Sequence, residues 1–141
     1  MAVVVFDADV LIAYLGRDDA SHERAVERMR RALEPGTQRF ISTVNYSEVL
    51  IGPIDKAGAK GVELVEAMFD DFSIETIQVD KALARRAAAV RVRTRLKLPD
   101  AYALATAIHA EHRGHADVRL ETFDEKVLKA HAALHPFPEH E

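Results

Sequence analysis

Val3-Val4-Val5-Phe6 is a wholly apolar run, three of its four residues β-branched, set directly ahead of Asp7-Ala8-Asp9. A strand without polar alternation has to bury both faces, and it does so in a parallel sheet covered by helices on either side. The rest of the chain supplies such elements in alternation. Val10 to Leu15 predicts a short apolar helix ended by Gly16. Asp18, Asp19 or Ser21 can cap a second helix, from about Ala20 to Leu33, with Pro35-Gly36 as its stop. Arg39 to Ser42 predicts a second strand. Val44 to Ile51 has helical spacing, which Gly52-Pro53 is expected to interrupt. A helix over Gly61 to Phe72 puts Val62, Val65, Met68, Phe69 and Phe72 near one face. Ser73 to Val79 is a third strand candidate, and Asp80 caps a helix running to about Thr94.

Leu98-Pro99-Asp100 opens the next helix. It is apolar all round from Ala101 to Ile108, so it is expected to be central and buried, and Gly114 ends it. Val118 to Glu121 predicts a fourth strand. Thr122-Phe123-Asp124-Glu125 fits a capping box, with Thr122 as N-cap, ahead of a helix to about Ala132. Leu134 to Phe137 is expected as a fifth, edge strand, and the histidine-rich Phe137 to Glu141 as a mobile tail. The alternation predicts an α/β fold with a mainly parallel sheet of about five strands between helices.

At 141 residues the chain has the length of one domain, spanning 1–141. It holds 19 Lys and Arg against 23 Asp and Glu, a net charge of −4, so no overall basic nucleic-acid signature is present. Zero cysteines rule out disulfides, thiolate metal sites and a cysteine nucleophile, and fit a reducing, cytoplasmic setting. The N-terminus lacks the pattern of a signal peptide, and no apolar run approaches the ~20 residues of a membrane-spanning helix.

Four acids occupy corresponding places. Asp7 follows strand one, Glu48 lies on the helix after strand two, Asp100 is at the start of the buried helix, and Asp124 follows strand four. Ligands of open parallel sheets bind outside the carboxyl ends of the strands, where the strand order switches. The four acids are therefore expected at one rim. Carboxylates crowded there repel one another and resist ionising. A hard divalent cation, Mg²⁺ or Mn²⁺, removes that conflict, because such ions prefer oxygen ligands. Singly, Asp7, Asp100 and Asp124 also read as helix caps or first-turn acids. Glu48, in mid-helix among Val44, Val49, Leu50 and Ile51, has no such role and is expected on a mostly buried helix.

The order of these segments resembles a known family. They are Val-Val-Phe-Asp7-Ala-Asp9-Val-Leu-Ile-Ala, Ile-Ser42-Thr-Val-Asn-Tyr-Ser-Glu48-Val-Leu, Leu-Lys-Leu-Pro-Asp100-Ala-Tyr-Ala-Leu-Ala-Thr106-Ala and Leu-Glu-Thr122-Phe-Asp124. Together they resemble the PIN-domain family, specifically the VapC-type toxins of toxin–antitoxin pairs, over nearly the whole chain. The resemblance implies a Mg²⁺- or Mn²⁺-dependent endoribonuclease with Asp7, Glu48, Asp100 and Asp124 as its metal-binding and catalytic acids. Ser42, Thr43 and Thr122 match the small hydroxyl positions near the site. Asp9 departs from the family's usual Asn or Ser, and is expected either to support the site or to share the metal. A homodimer neutralised by a cognate antitoxin is also implied. Its dimer face is expected around Met68, Phe69 and Phe72, or on the second helix.

RNA approaching an acidic chain needs local positive charge. Lys81 to Lys97 holds Lys81, Arg85, Arg86, Arg91, Arg93, Arg95 and Lys97 with no acid among them, and Arg93, Arg95 and Lys97 lead into Asp100. Two other readings exist. Asp7-Ala-Asp9 after an apolar strand also resembles haloacid-dehalogenase-type phosphatases with an Asp nucleophile, although Val10 and Leu11 stand where Gly and Thr would follow. A PIN-like RNA-binding module with a dead site is the other, and the intact acids argue against it. His109, His112 and His115, and His131 with His135, have zinc-compatible spacing but are expected as exposed histidines.

Overall fold

The computed structural model describes residues 2–134. In chain order its elements are β1 (Ala2–Phe6), α1 (Ala8–Leu15), α2 (His22–Ala32), β2 (Thr37–Ser42), α3 (Thr43–Ala57) and α4 (Ala59–Asp71). Then follow β3 (Ile74–Ile77), α5 (Lys81–Thr94), α6 (Leu98–His112), β4 (Asp117–Glu121) and α7 (Glu125–Ala133). Among the described residues the sheet has four strands in the order β3-β2-β1-β4, every pair parallel. Leu134 caps the end of α7, and the remainder of the expected edge strand and the tail lie outside the described residues.

β1 is central, and Val3 to Phe6 are fully buried, as a strand without polar alternation requires. Its side chains alternate between two cores. Val3 and Val5 pack with α5, α6 and α7 residues such as Leu83, Leu104, Ile108 and Val127. Val4 and Phe6 pack on the opposite face with Leu11, Met29, Val49 and Val65 of α1 to α4. α6 is buried along almost its whole length, consistent with its unbroken apolar sequence. No helix of the described residues is long and apolar enough to cross a membrane.

Two expectations fail here. Met68 and Phe69 are buried in the second core, with Phe72 packed against it, so their helical stripe faces inward and offers no dimer face. Gly52-Pro53 does not interrupt its helix: α3 runs on to Ala57 with Pro53 inside it. A helical proline forfeits one backbone hydrogen bond, but tertiary packing outweighs that loss. α4 folds back on α3 so closely that a Cβ at Gly61 would lie 2.0 Å from the Pro53 carbonyl oxygen. The hairpin needs a residue without a side chain at that crossing.

Gly61→Ala should therefore destabilise the protein by at least the 1–3 kcal/mol roughly typical of overpacking. Gly52, also helical, has open space around its would-be Cβ. Gly52→Ala should stabilise by about 0.5–1 kcal/mol. Denaturant melts of both variants check the pair, and equal effects would remove the close-crossing argument.

Candidate functional site

The chain steps outward from β1 to β2 to β3 and then returns to place β4 on the other side of β1. The strand order thus reverses between β1 and β4, and the crevice at their carboxyl ends is where such sheets bind ligands. Asp7 leaves β1 there, its backbone N–H donating to the Glu121 carbonyl at 2.9 Å. It is 4% exposed. One carboxylate oxygen caps α1 by accepting from the Ala8 N–H at 2.8 Å, and the other accepts from the Thr122 hydroxyl at 2.9 Å. The cap and the site are the same side chain.

Thr122 is buried and is not the N-cap that the capping-box pattern suggests. Asp124 takes that position, accepting from the Lys126 N–H at 2.9 Å. The Thr122 hydroxyl is instead drawn to the acids, 2.9 Å from Asp7 and 3.2 Å from Asp9, while accepting from the Asp124 N–H at 3.1 Å. One hydroxyl proton serves one carboxylate at a time. Asp9 also accepts from the Phe123 N–H at 2.9 Å, through the same oxygen. Its second oxygen is buried with no hydrogen-bond partner among the described residues.

On the other side of the crevice, buried Ser42 caps α3, accepting from the Asn45 N–H at 3.1 Å and donating to the Asn45 side-chain oxygen at 2.7 Å. The Asn45 amide then donates to Glu48 at 2.9 Å and to the Pro99 carbonyl at 3.0 Å. Asn45 thereby aims Glu48 and ties α3 to the first turn of α6, which carries Asp100. This residue was not singled out from sequence, although a fully buried Asn three positions before an acid on one helix face is the signal to seek. Thr43 does not join: its hydroxyl accepts from the Val79 N–H at 3.3 Å, anchoring the segment after β3. Glu48 is half-buried, and the outward part of α3 is exposed rather than buried. Ile51, with Ile12, Leu15 and Leu64, lines an apolar groove of about 830 Å³ that reaches Glu48.

The acids act on one another electrostatically. Burial first, and then Asp9 and Asp100, push Asp7 up to about 7, against the opposing bonds from Thr122 and Ala8. Asp9 is raised by burial and by Asp124, with the bonds from Phe123, Thr122 and Val10 opposing. Asp100 is raised by burial, then by Asp124, Glu48 and Asp9, with Lys97 opposing. All five carboxylates thus share one field, Asp9 included. Among the described residues no three His, Asp or Glu side chains stand close enough together to hold a metal ion by themselves. The donors are all oxygen, one of them orphaned and several reluctant to ionise, which fits a hard divalent cation that keeps part of its water shell.

Asp100 and Asp124 also open onto a cleft of about 940 Å³ lined by Arg93, Arg95, Lys97, Lys126 and Lys129. Lys81, Arg85, Arg86 and Arg91 do not line it. Helical geometry turns them elsewhere, with Arg86 against His112 at 3.2 Å. Lys126 and Lys129 were overlooked in the sequence, although their spacing of three after Asp124 places them on one face of α7. Of the histidines expected to be exposed, His112 is exposed and His135 lies outside the described residues, whereas His131 bonds Glu111 at 2.7 Å and burial, then Arg113 and Arg86, lower His109.

The PIN domain family model matches residues 4–133. The chain belongs to the PIN-domain family, which settles the choice against the phosphatase resemblance. A toxin–antitoxin complex from Klebsiella pneumoniae contains a similar chain, 26% identical with a TM-score of 0.63, covering 89% of each chain. The Mycobacterium tuberculosis toxin VapC20, described as cleaving the sarcin–ricin loop, is 18% identical with a TM-score of 0.63, covering 86% of this chain and 91% of its own. VapBC2 from Rickettsia felis, bound to a promoter DNA fragment, is 12% identical with a TM-score of 0.58, covering 86% and 99%. No curated protein sequence matches the chain significantly.

Asp7 is pushed up to about 7 in the fold, whereas an ordinary hydrated Asp loses its proton near 3.8. Between those values the folded state holds the extra proton, so this group's contribution to metal-free stability declines as pH rises through the window. Asp7→Asn should flatten that decline and raise the metal-free melting temperature at neutral pH. The gain is on the order of a few kcal/mol, from roughly 1.4 kcal/mol per unit. Excess Mn²⁺ should then stabilise the variant less than the wild type. Melts in EDTA and in Mn²⁺ across the window check both; equal stabilisation of the two proteins would leave Asp7 as a cap alone.

Proposed function

We propose that this chain is the toxin component of a VapBC-type toxin–antitoxin pair, a Mg²⁺- or Mn²⁺-dependent endoribonuclease. One observation supports the reading above others: carboxylates from four separate segments are electrostatically coupled at one sheet rim, and two of them, Asp100 and Asp124, line a cleft walled by five cations. Family membership and the likeness to a chain of a toxin–antitoxin complex support it.

Asp7, Glu48, Asp100 and Asp124 would hold the cation, with Asp9 beside them. When bound, the cation supplies an activated water and offsets the charge that builds on the scissile phosphate. The protein's own contribution is orientation and proton handling. Thr122 holds Asp7 in place, Asn45 holds Glu48, and a neighbouring carboxylate accepts the proton that the attacking water gives up. Arg93, Arg95 and Lys97 from one wall, and Lys126 and Lys129 from the other, bind the RNA backbone and lead it past Asp100 and Asp124. The apolar groove that ends at Glu48 is the surface for the cognate antitoxin, whose tail would close the site. The active form is a homodimer.

RNA cleavage should stop in EDTA and return with Mn²⁺ or Mg²⁺. Replacing Arg93, Arg95 and Lys97 together by Ala should flatten the salt dependence of single-stranded RNA binding by about 0.7 in log–log slope per lost phosphate contact. The triple Ala variant with Lys126 and Lys129 also replaced should flatten it further. Cleavage indifferent to EDTA would sink the metal mechanism, and an unchanged slope would move the RNA path elsewhere.

A further inference from the structure

The turn that holds Asp7 and Asp9 is itself held from behind. Glu121, Thr122 and Phe123 follow one another at the end of β4, and each meets an arginine of α2. Arg28 Nη1 lies 3.4 Å from the Glu121 carboxylate and donates to the Thr122 carbonyl at 3.2 Å. Arg31 Nη2 lies 3.3 Å from the same carboxylate, which is buried. The Arg24 and Arg28 guanidinium carbons stand 4.5 and 5.3 Å from the Phe123 ring centroid, within cation–π range. Spacings of four and three put Arg24, Arg28 and Arg31 on one helix face. The opposite side of the same three residues serves the acids: the Glu121 carbonyl takes the Asp7 N–H, the Thr122 hydroxyl reaches Asp7 and Asp9, and the Phe123 N–H bonds Asp9.

We infer that Arg28, with Arg24 and Arg31 beside it, is a positioning residue for the cation site, acting through the Glu121-Thr122-Phe123 turn on the orientation of Asp7 and Asp9. The inference rests on the metal reading of that site. Of the three arginines, Arg28 is the one that reaches all three residues of the turn. Its Nη1 meets both the carboxylate and the carbonyl while the flat guanidinium stays within reach of the Phe123 ring, a stacking surface that a lysine ammonium lacks. A turn released on that side would let the Thr122 hydroxyl and the Phe123 N–H drift from the carboxylates they orient. Groups that orient metal ligands govern affinity without touching the ion.

Mn²⁺ binding by calorimetry, on the full chain without RNA, tests this. Arg28→Ala should bind Mn²⁺ roughly tenfold more weakly than wild type, the usual scale for such groups. Arg28→Lys, which keeps the charge, should restore affinity only in part, and it decides the matter if the Ala variant does not fold. Met29→Ala is the control for general loosening. Met29 is a buried core residue of the same helix and makes none of the hydrogen bonds, ion pairs or cation–ring contacts on the turn, so this variant should melt earlier yet bind Mn²⁺ as the wild type does. Wild-type affinity in both Arg28 variants overturns the inference, as does an equal loss in Met29→Ala. No Mn²⁺ binding by the wild type would overturn the metal reading itself, and this inference with it.

Discussion

Mutual repulsion among carboxylates that the fold buries at one rim is the constraint on which the rest of this structure depends. Asp7, Asp9 and Asp100 are each driven upward by burial and by neighbouring acids. A free chain would keep such groups apart and hydrated. The fold holds them together because four of the five acids are secured by a bond close by in sequence or through the adjacent strand. Ala8 and Thr122 hold Asp7, Phe123 holds Asp9, Asn45 holds Glu48 and the Lys126 N–H holds Asp124. These bonds are individually modest, about 1–3 kcal/mol when the acceptor is charged. Together they define where charge of the opposite sign is wanted.

The scaffold that permits this is a sheet buried on both faces. β1 divides two cores that do not share side chains, one under α1 to α4 and the other under α5 to α7. Acids from both layers still converge, because the layers are stitched at the rim. The Asn45 amide bonds Glu48 on α3 and the Pro99 carbonyl at the start of α6. A buried amide with every donor and acceptor occupied is stiff, since leaving any of them unmade costs a desolvation penalty. The arginines of α2 make polar contacts with the far side of the turn at the end of β4. The site is thus supported by polar contacts on two sides, while the apolar cores supply the platform.

Much of the arrangement was legible because its signals are local. An apolar β-branched run ahead of an acid announces a buried strand with a carboxylate at its end, and Asp7 lies there. Asp100 behind Leu98-Pro99 reads as the opening of a helix, and Asp124 as a residue beside a helix start. Where the local signal had two solutions, the structure chose by contacts from elsewhere. Thr122-Phe123-Asp124-Glu125 matches a capping box, yet the Thr122 hydroxyl turns to Asp7, 115 positions away in sequence. Gly52-Pro53 reads as a helix stop, yet α3 continues because α4 packs at Gly61 against the Pro53 carbonyl. Met68 and Phe69 read as a possible contact face, but the periodicity that marks an apolar stripe does not say which surface covers it.

Sequence alone determined the alternation of strands and helices, the double-sided burial of β1 and the ends at which acids sit. All of these follow from the spacing of apolar residues and from capping chemistry within a few positions. The tertiary structure decided which acids share a field, that Asp9 belongs among them, that Asn45 bonds Glu48 and that Arg28 lies against the turn bonded to Asp7 and Asp9. It also decided that only Arg93, Arg95 and Lys97 of the basic stretch meet Lys126 and Lys129 at the cleft. The reason is physical. Burial, Coulombic coupling and hydrogen-bond choice depend on distance in space, and no periodicity along one segment encodes its distance from another.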